Sequence, residues 1–270
     1  MIELALIGLV AVAVLMLILW ALHFRLHNAA IVDAGWAAGL ALIGVIYTMG
    51  GTGWLERRVL IGGMVWLWGI RLATYLLKTR VIGHEEEGRY QEIRRNWQTN
   101  IGFKFLLFFE GQALLCVVLS VPFLLAAMNP REGFEWFEIV GVAIWVISIL
   151  GESAADGQLA AFKRDPASKG HTCRQGLWRY SRHPNYFFEW FIWIGYALVG
   201  LGAEYGWVGF ISQAFILYFL LRVTGIPATE AQAVRSRGDD YRDYQRTTSA
   251  FVPWFPKKPS FPQKLPKENP

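Results

Sequence analysis

Apolar runs long enough to cross a bilayer constrain this chain more than anything else in it. A hydrocarbon core of about 30 Å needs roughly 20 helical residues. Seven segments meet that need, at about 2–22, 30–50, 58–78, 103–127, 136–153, 186–203 and 206–223. Lipid offers the backbone no hydrogen-bond partner, so spanning runs of this length must be helices. The expected fold is an all-α integral membrane protein, a bundle of about seven transmembrane helices. Residues 1–256 read as one membrane-embedded domain, and 257–270, rich in Pro and Lys, as a flexible polar tail. No soluble domain is left over. The first run is too long for a signal-peptide core and lacks a basic flank, so it reads as a retained anchor.

Composition agrees. The chain is 54% hydrophobic and 15% aromatic, above what a soluble domain carries, and its 13 Trp suit a protein with two wet interfaces. The net charge of +5 falls in loops between apolar runs, not on a soluble surface, so no nucleic-acid partner is expected. Two cysteines, Cys116 and Cys173, are too few for a disulfide framework.

The basic residues sort to one side. Arg80, Arg89, Arg94 and Arg95 lie in the 79–101 stretch, and Lys163, Arg164, Lys169, Arg174, Arg179 and Arg182 in 154–185. The last stretch adds Arg235, Arg237, Arg242, Arg246, Lys257 and Lys258. With seven spans these regions share a side, and the opposite loops hold little beyond Arg57, Arg58 and Arg131. The positive-inside rule then places the N-terminus outside and the C-terminus in the cytoplasm, as for a bacterial inner-membrane protein.

Ionisable groups inside apolar runs are costly in lipid. Asp33, Arg71, Glu110, Glu152, Glu189 and Arg222 fall within or at the edges of such runs, and together they argue for a polar cavity. The stretch Gly83–Arg95 places an acidic run before basic residues, the charge order of a helix with its acids near the N-terminal end. His84 stands beside three Glu, but no second His or Cys lies at ligand spacing, so no metal site is expected.

The densest chemistry lies in Gly176–Trp190, just before an apolar run. Arg182 and His183 can hold an anion, Asn185 offers a donor and an acceptor, and the rings can stack on a planar heterocycle. An interfacial aromatic belt would need no Asn, Pro or Glu in this order. Upstream, Lys163 and Arg164 join Arg174, Arg179 and Arg182 as a basic set suited to phosphates. No Gly-x-Gly-x-x-Gly turn is present, so a nucleotide would be held by side chains of a helical bundle.

These residues carry a resemblance. Gln158-x-x-x-Phe162-Lys163-x-x-Pro166 resembles a Gln-Lys-Asn-x-Phe-Arg-x-x-Pro segment of membrane sterol reductases. Gly176-Leu177-Trp178 with Arg182-His183-Pro184-Asn185-Tyr186 resembles their Gly-Trp-Trp-Gly-x-x-Arg-His-x-Asn-Tyr, and Asp240-Tyr241-x-x-Tyr244 with Val252-Pro253 is similar to their closing pattern. Asn185 and Glu189 with Ile194–Leu198 also resemble steroid 5α-reductases, and the layout resembles bacterial members of that superfamily known only as domains of unknown function. The match is firm over about 150–256.

The resemblance implies a cavity open to the cytoplasm that holds NADPH, and hydride transfer to an activated C=C bond of a steroid, sterol or other unsaturated lipid. The implied cofactor contacts are Asp156, Lys163, Arg164, Trp178, Tyr180, Arg182, His183, Asn185, Tyr186, Glu189, Tyr241 and Tyr244. For the group that polarises a carbonyl or protonates carbon, the candidates are Glu110, Asp33 and Tyr75, which do not align cleanly with the family's acid and tyrosine. The chain departs elsewhere too: Glu152 stands where 5α-reductases have Asn, Leu159 where sterol reductases have Lys, and their Arg-x-x-x-Asp-Glu run survives only as Arg222 and Thr229-Glu230.

A rival class shares part of the pattern. Arg182-His183-Pro184-x-Tyr186 with Glu230 and Tyr241-x-x-Tyr244 also resembles isoprenylcysteine and phospholipid methyltransferases, which bind S-adenosylmethionine. The extra cations Lys163 and Arg164 suit the 2′-phosphate of NADPH and favour the reductase. A non-enzymatic lipid-binding protein is the third reading, and it would retain no nucleotide. The substrate and the oligomeric state stay open.

Overall fold

The computed structural model describes residues 1–257. Eleven α-helices and no strand occur among them: α1 (Ile2–Leu26), α2 (Ile31–Gly50), α3 (Leu55–Leu76), α4 (Gly88–Asn96), α5 (Ile101–Leu119), α6 (Val121–Met128), α7 (Trp136–Arg164), α8 (Pro184–Gly200), α9 (Gly209–Tyr218), α10 (Ile226–Arg237) and α11 (Asp239–Thr247). The tail expected over 257–270 lies outside the described residues except for Lys257.

Six helical stretches among the described residues are long and apolar enough to cross a membrane: α1, α2, Leu55–Val81, α5, α7 and Gly206–Arg237. The remaining expected span, 186–203, is α8, whose 17 residues reach about 26 Å, just short of the hydrocarbon thickness. The surface agrees with a bilayer. On α1 the side chains of Leu6, Ile7, Val10, Val14, Leu17 and Ile18 all face outward, and only lipid suits a helix apolar on nearly every side. The chain is an all-α integral membrane protein.

Three segments differ from the sequence-based expectation. The run at 103–127 breaks at Ser120 into α5 and α6, because Pro122 has no N–H to continue the ladder. The run at 136–153 continues to Arg164, so α7 has 29 residues, about 44 Å, and one end must stand clear of the hydrocarbon. The acidic run Glu85–Glu87 precedes α4 instead of filling its first turn. Glu86 is occupied elsewhere: it accepts the Ala29 N–H at 2.7 Å at the start of α2, and Arg94 Nε holds its other oxygen at 2.8 Å.

The chain divides into two compact units, Met1–Trp145 with Trp193–Phe215, and Val146–Ile192 with Ile216 onward. The boundaries fall inside α7, α8 and α9.

In the first unit, α2 and α3 approach through small residues. A Cβ on Gly69 would sit 2.7 Å from the Ala37 carbonyl oxygen, so only a bare backbone fits. Trp68, Trp193, Phe123 and Tyr196 pack ring on ring in its core, with Trp68 and Trp193 edge to face at 5.8 Å. Cys116 is buried there as packing. Arg57 and Glu138 form a fully buried ion pair at 2.5 Å. The remaining Arg57 donors reach the Arg131 and Gly133 carbonyls, both at 2.5 Å, and Glu138 also accepts the Glu135 N–H at 2.8 Å.

Candidate functional site

The second unit gathers the segments that the sequence marked as chemical. Three hydrogen bonds tie them together. Gln158 on α7 accepts the Leu177 N–H at 2.8 Å, and the buried Trp178 indole donates to the Ala155 carbonyl at 2.9 Å. The Tyr244 hydroxyl on α11 donates to the Trp178 carbonyl. Gly176 begins this turn with φ +55°, a conformation that favours glycine, and a Cβ there would lie 2.4 Å from Gln158 Oε1 and push that amide aside.

Beyond the turn, Arg182 and His183 converge on Glu230 of α10. Arg182 Nε donates to Glu230 Oε1 at 2.6 Å, and its Nη1 donates to the Gln245 and Thr248 carbonyls at 2.8 and 2.7 Å. His183 Nε2 lies 3.2 Å from the same carboxylate oxygen, and Gln245 Nε2 donates to the other at 2.7 Å. Burial holds the His183 imidazole below its ordinary value, against the opposing pull of Glu230. The ring is therefore neutral near pH 7 and offers one donor, not a charge. Burial raises the Tyr241 and Tyr244 phenols above their usual range, with Glu230 adding to the Tyr241 shift and Tyr241 to the Tyr244 shift, so both stay protonated.

The basic set expected for phosphates separates into two kinds. Arg182 is neutralised by Glu230, and Arg174 is held by Asp243 at 2.9 Å and Asp240 at 3.1 Å. Lys163, Arg164 and Arg179 are exposed. Tyr186 stacks on His183 with ring centroids 5.3 Å apart and planes 7° apart, and its hydroxyl lies 3.1 Å from Thr229 Oγ1. Tyr180 stands at the surface.

A second polar group lies along α7 and α8. Glu152 and Asp156 are one helical turn apart, as are Asn185 and Glu189, so each pair shares a helix face. Glu152, Asp156 and Glu189 are buried, and Asn185 Nδ2 donates to Asp156 Oδ1 at 3.4 Å. An amide against a carboxyl group suits an uncharged, hydrogen-bonding ring more than an anion.

The three candidates for proton donor lie in the first unit. Asp33 on α2 accepts from Arg80 at 3.3 Å, from the Tyr90 hydroxyl at 2.8 Å and from Arg89. Both Asp33 oxygens are thus engaged, Oδ2 by the two guanidinium groups and Oδ1 by the phenol. Glu110 is half-buried on α5, and Tyr75 is half-buried on α3.

Sequence reasoning gave Glu230 only a passing role and missed Gln245, Ser181 and the pair Arg57–Glu138. Ser181 Oγ donates to the Phe251 carbonyl at 2.8 Å and accepts the His183 N–H at 3.1 Å. The available signal was Glu230, an acid near the start of the helix that follows an apolar run.

The fold defines an all-α integral membrane protein with buried polar clusters in both units. The chain belongs to the DUF1295 family, described as a protein of unknown function, whose profile matches residues 19–248. No curated protein and no solved structure matches it.

Proposed function

We propose that the protein is a membrane-embedded, NADPH-dependent reductase of an activated C=C bond in a steroid, sterol or other unsaturated lipid. The observation that carries this reading is the mutual hydrogen bonding of Gln158, the Gly176–Trp178 turn and Tyr244. The three segments with the reductase-like pattern thus support one another as a unit. The residues fit the cofactor. Lys163, Arg164 and Arg179 are the exposed cations for phosphates, and Asn185 with Asp156 offers the donor and acceptors for a carboxamide-bearing ring. NADPH would supply the hydride. Glu110, Asp33 or Tyr75 would polarise the substrate carbonyl. The basic loops would face the cytoplasm of a bacterial inner membrane, with the N-terminus outside.

One observation favours the methyltransferase instead. Arg182 is already paired with Glu230, so the Arg-His turn contributes little net charge toward phosphates. Parallel calorimetric titration of the detergent-solubilised protein with NADPH, NADH and S-adenosylmethionine separates the two. The reductase reading expects NADPH to bind best and Lys163→Ala to weaken it about ten- to hundredfold, one charge-assisted contact. S-adenosylmethionine binding without an NADPH signal overturns that reading in favour of the methyltransferase.

A further inference from the structure

The segment after α11 does two things at once. On its inner side it straps the Arg182–His183 turn. Arg182 N–H donates to the Ser249 carbonyl at 2.8 Å, Ser181 Oγ to the Phe251 carbonyl at 2.8 Å, and Trp254 N–H to the Tyr180 carbonyl at 2.9 Å. On its outer side it presents apolar groups: Val252 is 53% exposed, Trp254 70% and Phe255 76%. The backbone is tied down at both ends, since Lys257 N–H also donates to the Thr247 carbonyl at 2.8 Å. A pinned loop that holds two aromatic rings and a Val in the open is a presented surface, not a frayed end.

Its neighbours name the partner. Phe251 packs on Phe187 at 5.8 Å and Trp190 at 5.7 Å, in the first turns of the apolar helix α8. Phe255 meets Tyr180 edge to face at 6.1 Å. Trp, Tyr and Phe gathered where an apolar helix begins is the chemistry of a bilayer headgroup zone. The charges agree: Lys257 and Arg179 are exposed beside the rings, and the sequence continues with Lys258, Lys264 and Lys267 against the single acid Glu268.

We propose that Val252, Trp254 and Phe255 insert into the anionic lipid surface of the bilayer that the protein spans, so that headgroup charge regulates how firmly the Arg182–His183 turn is held. The inference does not depend on which nucleotide the site takes. When the rings are seated, the carbonyls of Ser249 and Phe251 stay fixed against Arg182 and Ser181. When they leave the lipid, the strap loses its outer support and the turn loosens.

The test uses the full chain in nanodiscs, with no nucleotide present. Val252→Cys carries an environment-sensitive fluorophore, and the two native thiols, Cys116 and Cys173, are buried. In discs containing phosphatidylglycerol the emission should shift to the blue and resist an aqueous quencher. Lys257→Gln should lower the equilibrium constant for the inserted state about fivefold, the effect of one basic residue near an anionic surface. Hydrogen exchange at the Arg182 amide should be slower in anionic than in phosphatidylcholine discs, and Trp254→Ser with Phe255→Ser should remove that difference. Unchanged exchange in α2 of the double variant verifies that it is folded. Solvent-like emission from position 252 in anionic discs overturns the proposal, and so does Arg182 exchange that ignores headgroup charge in the wild-type chain.

Discussion

Arg57–Glu138 in the first unit and Arg182–Glu230 in the second are both Arg–Glu pairs, and they are built differently. Arg57–Glu138 is fully buried, and Arg57 reaches two carbonyls besides Glu138. Arg182–Glu230 keeps about a tenth of each side chain exposed, at 11% and 15%, and shares its carboxylate with His183 and Gln245. The first is a sealed joint between chain segments. The second carries a titratable ring and a hydrogen-bonded amide at its edge, so its electrostatics respond to pH. Only the second has the makings of a working site, though the two share the same pair of residue types.

The largest effect is expected from breaking the sealed pair alone. Glu138→Ala leaves a guanidinium in a dry pocket and should cost about 3–5 kcal/mol, read as a lowered unfolding midpoint in detergent. Replacing both partners, Arg57→Met with Glu138→Leu, should recover most of it. No recovery would mean that the carbonyl contacts, not the charge, make the joint.

The open pair should lose less. Arg182→Ala removes donors to Glu230, Gln245 and Thr248, and we expect a loss of about 1.5–3 kcal/mol. Arg182→Lys should restore only part, because an ammonium cannot reach three acceptors in a fork. A loss equal to that of Glu138→Ala would erase the distinction between the pairs.

Acid should separate them further. His183 is held neutral by burial, with Glu230, Arg182 and Arg237 as its charged neighbours, so the unfolded chain takes up a proton first as pH falls. Its share of stability is fully present above the ordinary imidazole value of about 6.5 and declines as pH drops below it. Unfolding midpoints from pH 8 to 5 (a span of about three units around that value) should fall for the wild type and flatten in His183→Gln. An unchanged slope in that variant would move the titration to another group.

The smallest effect belongs to Tyr186→Phe. It deletes the exposed bond to Thr229 but keeps the stack on His183, and should cost about 0.5 kcal/mol. A larger loss would make the hydroxyl part of the Glu230 cluster.

The spans were legible because lipid imposes one rule on every backbone group, and hydropathy reads that rule directly. The same reading joined α5 to α6, because Pro122 interrupts hydrogen bonding without changing the apolar character around it. In the site, Trp178, Arg182, His183, Asn185 and Tyr244 stood out by type and spacing. Their hub did not. Glu230 lies 48 residues from Arg182 and 15 from Gln245, and no helical period links such positions. Arg57 looked like a loop cation for the same reason, since its partner is 81 residues away. Hydropathy sees neighbours in sequence, whereas ion pairs are settled by tertiary packing.

That separation of 81 residues also sets a clock on biosynthesis. At roughly 5–20 residues per second, Arg57 is made about 4–16 s before Glu138 exists. During that interval the leading end of α3 carries a charge with no carboxylate to meet it. The hairpin of α2 and α3 must therefore hold by its glycine-mediated backbone contact while the ribosome completes three more helices. The final turn of the lock closes only when α7 begins to emerge.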